Sequence, residues 1–255
     1  MVANFGNSRM GRIFPDVEPE PSASVHDLLE SIRCFGAREI ELPTFQGRIL
    51  AALIAGCSTE ALQRHVMRAL SQQTDQPLAR KTWPERDYTM QVIYIGPHEV
   101  HPCHCHHNVV STQMVLAGRV FGREYERVRR RADGTLLLRP LSEGWLAPGD
   151  YLQASEMSRN VHWFAAGDEP AAMFNLNIRG FEHDTFDPRD GRPLGRRLLD
   201  PTVGADQGLV VAREIGVAEA YERFGARPLT DFPLPVAAAN ATRDSALDTL
   251  AQSRT

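Results

Sequence analysis

The chain has 255 residues, a formal net charge of -4 and an apolar fraction of 42%, which suit one globular domain with additions or two small ones. The near-neutral charge excludes the strongly basic surface of a nucleic-acid-binding protein, and no run approaches the ~18 consecutive apolar residues of a membrane span. Four cysteines, with no apolar N-terminal block, predict reduced thiols. We therefore expect a cytoplasmic protein without nucleic-acid or membrane partners.

The first part of the chain predicts an arm followed by helices. Residues 1–22 are rich in Gly, Pro and Asn and show no period, so we expect a flexible arm there. From Ser24 to Gly36 apolar residues recur at helical spacing between a capping residue and a terminating glycine. Two more apolar stripes follow, the second beginning at Ser58. Residues 23–85 are therefore predicted to form a small N-terminal helical segment.

Strand-like runs separated by turn signals begin near Tyr88. The first ends at Gly96-Pro97, and later breaks include Asp133-Gly134 and Pro148-Gly149-Asp150. Many short strands with regular turns predict a β-sandwich or barrel, here over residues 86–182. We expect a C-terminal extension over 183–235 with one short helix, and a disordered or weakly helical tail over 236–255.

The most informative segment is residues 98–107, His-Glu-Val-His-Pro-Cys-His-Cys-His-His, which holds five of the nine histidines. Side chains alternate along a strand, so His104 and His106 project from one face and can converge on one ion. Cys103 and Cys105 then point away and are predicted to be packing thiols. The other histidines of the segment, His98, His101 and His107, are alternative ligands.

The β region resembles the cupin family. His104-Cys105-His106 precedes a Val-Leu-Ala-Gly run at 115–118, a Pro-Gly-Asp turn at 148–150 and then a lone His162, in the order of that family's motifs. The resemblance covers roughly residues 88–181. It implies a mainly β fold, a cupin (double-stranded β-helix, jelly-roll) barrel preceded by helices, with His104, His106 and His162 as metal ligands. The resemblance also implies, as one expected oligomeric state, a homodimer whose subunits pair through edge strands.

The chain departs from most metal-binding cupins in lacking a glutamate between the His-x-His and the glycine, where Ser111 stands. A neutral three-histidine site is similar to the thiol dioxygenases, the branch typified by cysteine dioxygenase. The stretches 115–125 and 162–177 also look like that branch. However, its Ser-His-Tyr triad is absent, because the matching positions are Met173, Asn175 and Asn177.

Three neutral imidazoles leave the 2+ charge of a metal uncompensated, which favours anionic ligands such as thiolate or carboxylate. The resemblance implies Fe(II), with Zn, Ni and Cu as alternatives, and O₂ as co-substrate. The leading hypothesis is an O₂-dependent oxygenase of a small polar molecule, either a thiol dioxygenase giving a sulfinate or an enzyme that cleaves or hydroxylates carbon. The alternatives are a non-catalytic cupin that binds metal or a small ligand, and a metal-dependent isomerase or hydrolase.

Candidate substrate-binding residues lie on the predicted strands nearby. Asn175 and Asn177 share one strand face by the period of two and are candidates to line the pocket. Tyr94 and Gln113 have a parity compatible with facing the histidines from a neighbouring strand.

A carboxylate-bearing substrate would call for an arginine. Arg80 and Arg86 lie just before the first predicted strand of the barrel, near where the similar thiol dioxygenases keep a substrate-binding arginine.

Overall fold

The computed structural model describes residues 23–57, 59–82, 87–156, 158–179 and 195–234. The predicted arm over 1–22 and the predicted tail over 236–255 lie outside these residues, as does Arg86. Within the described ranges, no helix has both the length and the apolar character needed to cross a membrane.

Three helices come first: α1 is Ala23–Gly36, α2 is Leu42–Gly56 and α3 is Glu60–Gln72. The cap of α3 is Thr59, one residue later than the predicted Ser58, and its hydroxyl accepts a hydrogen bond from the backbone N–H of Leu62 at 3.5 Å. The predicted N-terminal helices are therefore confirmed, but the segment predicted to be helical, residues 23–85, also contains a strand over residues 76–82.

The strands form an antiparallel structure in two parts. In the described part of the chain they are β1 Gln76–Thr82, β2 Asp87–Ile95, β3 Val100–His107, β4 Val109–Ala117, β5 Val120–Arg130, β6 Leu136–Leu146, β7 Tyr151–Ala154, β8 Val161–Ala166, β9 Ala171–Arg179, β10 Gly195–Asp206 and β11 Leu209–Ile215. One sheet has the order β1-β2-β9-β4-β7, and the other closes into a six-stranded barrel in the order β10-β11-β6-β5-β8-β3. The predicted mainly β fold, with a closed antiparallel barrel behind helices, is confirmed.

The C-terminal part contributes more to the barrel than the sequence predicted. The short helix expected there is confirmed as α4, Val217–Phe224. However, β10 and β11 lie in the segment 183–235 that was predicted to contain only that helix, and they close the barrel by pairing with β3 and β6. Ion pairs such as Arg197–Glu214 and Asp200–Arg223 make these strands highly charged, so their sequence resembles a loop.

Three apolar clusters show which face of each strand packs against the helices, inside the barrel, or between the sheet and the barrel. The first joins the helices to the outer face of the five-stranded sheet, through residues such as Phe45, Met90 and Phe174. The second draws on all six barrel strands and fills the barrel interior around Trp163, which packs against Phe224 of α4 with ring centroids 5.3 Å apart.

The third cluster lies between the five-stranded sheet and the barrel. It joins Ile93, Val115 and Met173 of the sheet to Phe164 of β8. Because side chains alternate along a strand, the odd-numbered residues of β2, β4 and β9 face the barrel, and the even-numbered residues of β8 face the sheet.

Cys103 and Cys105 belong to the second cluster and are almost fully buried, so the prediction that they pack away from the histidines is confirmed. Burial raises the pKa of both thiols, that of Cys105 to about 11.

We expect neither thiol to react with iodoacetamide in the folded protein, because both lie inside the closed barrel. Mass spectrometry after timed alkylation, with and without urea, measures this, and the partly exposed Cys57 is the internal reference. Labelling of Cys103 or Cys105 as fast as that of Cys57 without urea would show that the barrel opens readily.

Candidate metal centre

Three histidines meet on two adjacent barrel strands. His104 of β3 lies opposite His162 of β8, and His106 is two residues further along the same face of β3. Their ligand nitrogens all lie within 4.8 Å of one another, and the Nε2 atoms of His106 and His162 are 3.3 Å apart. The register of β3 against β8 shifts between His101 and His104, where Pro102 has no N–H to contribute to the ladder.

The protonation state of His104 is set by its own strand. Its Nδ1 lies 2.8 Å from the carbonyl oxygen of Pro102, and the carbonyl can only accept a hydrogen bond. The ring proton is therefore held on Nδ1, and Nε2 keeps its lone pair for the cluster. Phe164 stacks against the ring of His162 at 4.9 Å between centroids, which fixes a second imidazole from the side of the third apolar cluster.

Burial keeps all three imidazoles neutral. It lowers the pKa of His104, of His162 and of His106, the last to about 3, and the guanidinium of Arg196 lowers each further. Neutral imidazole is the form that binds a metal ion. Within the described residues no carboxylate or thiol joins the group, so the donor set is three neutral nitrogens. Such a set fits a single transition-metal ion.

A carboxyl group lies beside the cluster without being part of it. Glu124 of β5 is opposite His162 in register and is buried, which raises its pKa. Its Oε2 accepts hydrogen bonds from Ser142 at 2.7 Å and from Arg159 at 3.0 Å. Arg159 thus balances the charge of Glu124. Glu124 belongs to the stretch 115–125 noted in the sequence, but no local pattern indicates that it lies beside the histidines, because its neighbours come from distant strands.

The other histidines of the 98–107 segment do not join the cluster. His98 lies 3.8 Å from Asp168 on the surface, and His101 lies 3.8 Å from Glu99. His107 turns to the other face, where its Nδ1 is 3.9 Å from the carboxylate of Glu156.

The loop between β7 and β8 holds the end of β3 in place. The buried side chain of Asn160 accepts a hydrogen bond from the backbone N–H of His106 at 2.9 Å and donates one to the carbonyl of Ser155 at 2.8 Å. Glu156, paired with Arg127, accepts from the backbone N–H of Asn108 at 2.9 Å. These contacts fix the main chain on which His106 stands.

Replacement of Asn160 by leucine is expected to weaken metal binding by about 10- to 100-fold, the usual cost of losing a group that orients a ligand. Asn160→Asp keeps the oxygen that accepts from the N–H of His106 and loses the donor to the carbonyl of Ser155, so it tests the bond to His106 separately. Competition with a chromophoric chelator measures the metal dissociation constant of each variant. Wild-type affinity in Asn160→Leu would show that the loop does not position His106.

The five-stranded sheet presents a polar surface to the histidines. Gln91, Asn175 and Gln113 form one row across β2, β9 and β4, and Gln113 Nε2 donates to Asn175 Oδ1 at 3.3 Å. Thr89, Asn177 and Ser111 form the next row. We call these six residues the amide wall. The structure thus brings three predicted residues, Gln113, Asn175 and Asn177, to one face.

Sequence reasoning missed Gln91 and did not consider Ser111 as a site residue. Gln91 has the parity of Ile93 and Ile95, whose side chains lie between the sheet and the barrel. That parity would have identified Gln91 only if the face of β2 that lies towards the barrel had been known.

The prediction that Tyr94 faces the histidines is wrong. Tyr94 packs in the first apolar cluster, with Met90 and Val92, on the face of β2 that the helices cover. Both faces of this strand are buried, one by helices and one by the barrel, so its apolar pattern does not reveal which residues face the site.

The structure describes the strand position of one of the two predicted arginines. Arg80 lies in β1, the edge strand of the five-stranded sheet, opposite Thr89, and Arg86 is outside the described residues. An arginine that was not predicted, Arg196, lies opposite His106 in register on β10, and the positive charges of Arg196 and Arg179 both lower the pKa of His106.

Comparisons with known proteins give similarities in structure only. No protein-family model matches the sequence, and no curated protein matches it. Similar solved structures include procruciferin, an 11S globulin from Brassica napus (10% identity, TM-score 0.28, 38% of this chain and 21% of that chain). The chain therefore spans about a fifth of the length of that globulin.

Two smaller proteins are also similar. One is a sugar phosphate isomerase from a cupin superfamily, from Silicibacter pomeroyi (16% identity, TM-score 0.28, 41% of this chain and 70% of that chain). The other is KdgF from Halomonas sp. (17% identity, TM-score 0.29, 41% of this chain and 76% of that chain). These similarities assign no activity to this chain.

Proposed function

We propose that the chain is a cytoplasmic, mononuclear non-haem Fe(II) oxygenase that acts on a small polar substrate. The observation that carries this proposal is the convergence of three buried, neutral imidazoles, His104, His106 and His162, opposite a wall of carboxamides. Their nitrogen-only donor set is compatible with iron, zinc, nickel or copper. A ferrous ion held by three ligands on one side would keep positions open for a chelating substrate and for O₂.

The chain's own residues would bind and orient the substrate. The apolar residues of the third cluster, among them Phe164 and Met173, exclude water at one end of the space between sheet and barrel. The amide wall supplies hydrogen-bonding groups fixed on paired strands, so their positions need little rearrangement when a substrate binds. Pro102 keeps the proton of His104 on Nδ1, away from the cluster.

Carbon oxidation has one specific observation in its favour over thiol oxidation. Asn175 and Asn177 stand where the similar thiol dioxygenases have their histidine and tyrosine, and both lie in the amide wall. An amide can donate and accept hydrogen bonds, but it has no phenol or titrating imidazole with which to move a proton. An enzyme that cleaves or hydroxylates carbon is therefore the second candidate, beside a thiol dioxygenase that forms a sulfinate.

An oxygen-electrode screen of the iron-loaded protein distinguishes thiol oxidation from carbon oxidation. We expect iron-dependent O₂ uptake either with thiols (cysteine, cysteamine, 3-mercaptopropionate), giving a sulfinate by mass spectrometry, or with β-diketones, giving cleaved acids. Turnover without oxygen would indicate an isomerase or hydrolase instead. Full metal occupancy with no O₂ uptake across a broad panel would contradict the proposal and favour a non-catalytic binding protein.

A further inference from the structure

The amide wall holds a concentration of buried oxygen atoms that lack a hydrogen-bond partner. Among the described residues, no partner is found for Gln91 Oε1, Gln113 Oε1, Asn177 Oδ1 or Ser111 Oγ. Gln113 and Ser111 are only 5% and 1% exposed. A buried polar group without a partner costs about 1–3 kcal/mol, so four such oxygens on one surface are out of proportion for a purely structural element.

These atoms all lie in two adjacent rows of one sheet face. Asn175 pairs in register with both Gln91 and Gln113, and Asn177 pairs with both Thr89 and Ser111. Directly opposed side chains in a sheet are about 5 Å apart at Cβ, so the oxygens form a compact surface. Towards one end of the strands the next row, Ile93, Met173 and Val115, is apolar. The polar surface is therefore bounded on that side and faces the three histidines.

Three of the four oxygens are amide acceptors, and the fourth belongs to a hydroxyl that also accepts. A ligand that satisfies them must present N–H or O–H groups to the wall. Because the wall is built on paired strands, a ligand with several donors at neighbouring positions matches it better than a ligand with one.

The charges around the site decide between an ammonium and a neutral donor. Arg196 lies opposite His106 in register, and Arg179 follows Asn177 on the same face of β9. Both arginines therefore place a positive charge on strands that border the cluster and the amide wall. The buried carboxylate beside the cluster, Glu124, is balanced by Arg159. The local potential therefore opposes a second cation and favours an anion.

We infer that the amide wall is a substrate-binding surface for a small hydroxylated carboxylate, whose neutral hydroxyls donate to Gln91, Gln113, Ser111 and Asn177 while its anionic end lies towards the histidines and Arg196. This inference rests on the proposed function, since it names the class of molecule that the three-histidine site would act on. It disfavours amino thiols, whose ammonium group would meet the positive potential.

Three carboxylates with the same four-carbon chain test the inference by calorimetry: 2,3,4-trihydroxybutanoate, butanoate and 4-aminobutanoate, each added to anaerobic, iron-loaded protein. We expect the trihydroxy acid to bind at least about tenfold more tightly than either of the others, since buried acceptors discriminate strongly against ligands that leave them unpaired. Equal binding of the trihydroxy acid and butanoate, or no binding of any of the three, would overturn the inference.

Variants of the amide wall provide a second test of the inference. Gln113→Leu and the milder Ser111→Ala are expected to reduce the preference for the trihydroxy acid over butanoate by about tenfold and about threefold. Gln72→Leu, at an exposed position of α3, is the matched control and should leave the preference intact. A preference that persists in both wall variants would place the hydroxyls elsewhere. Because iron content is measured separately in each sample, failure of this inference is distinguishable from absence of the metal.

Discussion

Replacing His104, His106 or His162 with alanine is expected to lower the affinity for a divalent transition metal by more than about 100-fold, beyond the 10- to 100-fold cost of losing an orienting neighbour. Each substitution leaves two imidazoles, one too few to fill one side of a metal ion. Competition titration with a chromophoric chelator measures the dissociation constant. Cobalt substitution adds a spectrum that reports the coordination geometry.

His98→Ala is the matched control, because the side chain of His98 is 70% exposed and lies outside the cluster. It should bind metal as the wild-type protein does. Circular dichroism of the metal-free variants checks that the barrel is intact. Wild-type metal affinity in any one of the three cluster variants would remove that histidine from the ligand set.

Gly118→Ala is expected to reduce the free energy of unfolding by about 3 kcal/mol or more, the largest effect that we expect from adding a single methyl group. Gly118 has φ of +73°, which side chains with a Cβ rarely adopt. A Cβ placed there would lie 2.4 Å from the carbonyl oxygen of Pro170 and 2.9 Å from the Cα of Ala171, and both of these are backbone atoms that cannot rotate away. Urea unfolding followed by circular dichroism measures the change.

Gly149→Ala separates the cost of the positive φ from the cost of the clash with backbone atoms. Gly149 also has a positive φ, +96°, but an added Cβ would meet nothing within 4 Å. Its substitution should therefore reduce the free energy of unfolding by about 1 kcal/mol, the cost of a positive φ alone. Equal losses at the two glycines would show that the close approach of β4 to β9 is not what requires glycine at position 118.

The family-like turns were informative because they carry tertiary contacts. The Val-Leu-Ala-Gly run and the Pro-Gly-Asp turn hydrogen-bond to each other: Val115 N–H donates to the carbonyl of Asp150, and Gly149 N–H donates to that of Val115, each at 2.9 Å. A resemblance that includes both turns therefore predicts the barrel and the strands beside it. The period of two then correctly placed His104 and His106 on one face.

The residues opposite the histidines could be predicted only in part. Asn175, Asn177 and Gln113 follow the parity of their strands, and that parity was sufficient. Tyr94 was misplaced because β2 is buried on both faces, which removes the hydrophobic alternation that assigns a strand's inner side. Arg196 could not be found because β10 pairs with β3 from about ninety residues further along the chain, and no local pattern encodes that pairing.

Elemental analysis of protein purified without oxygen tests most directly whether the three histidines hold iron. We predict close to one iron per chain in the wild-type protein and in His98→Ala, and less than about a tenth of that in His106→Ala. Zinc in place of iron, or iron below about a tenth of the protein in freshly prepared wild-type samples, would contradict the assignment of an iron oxygenase.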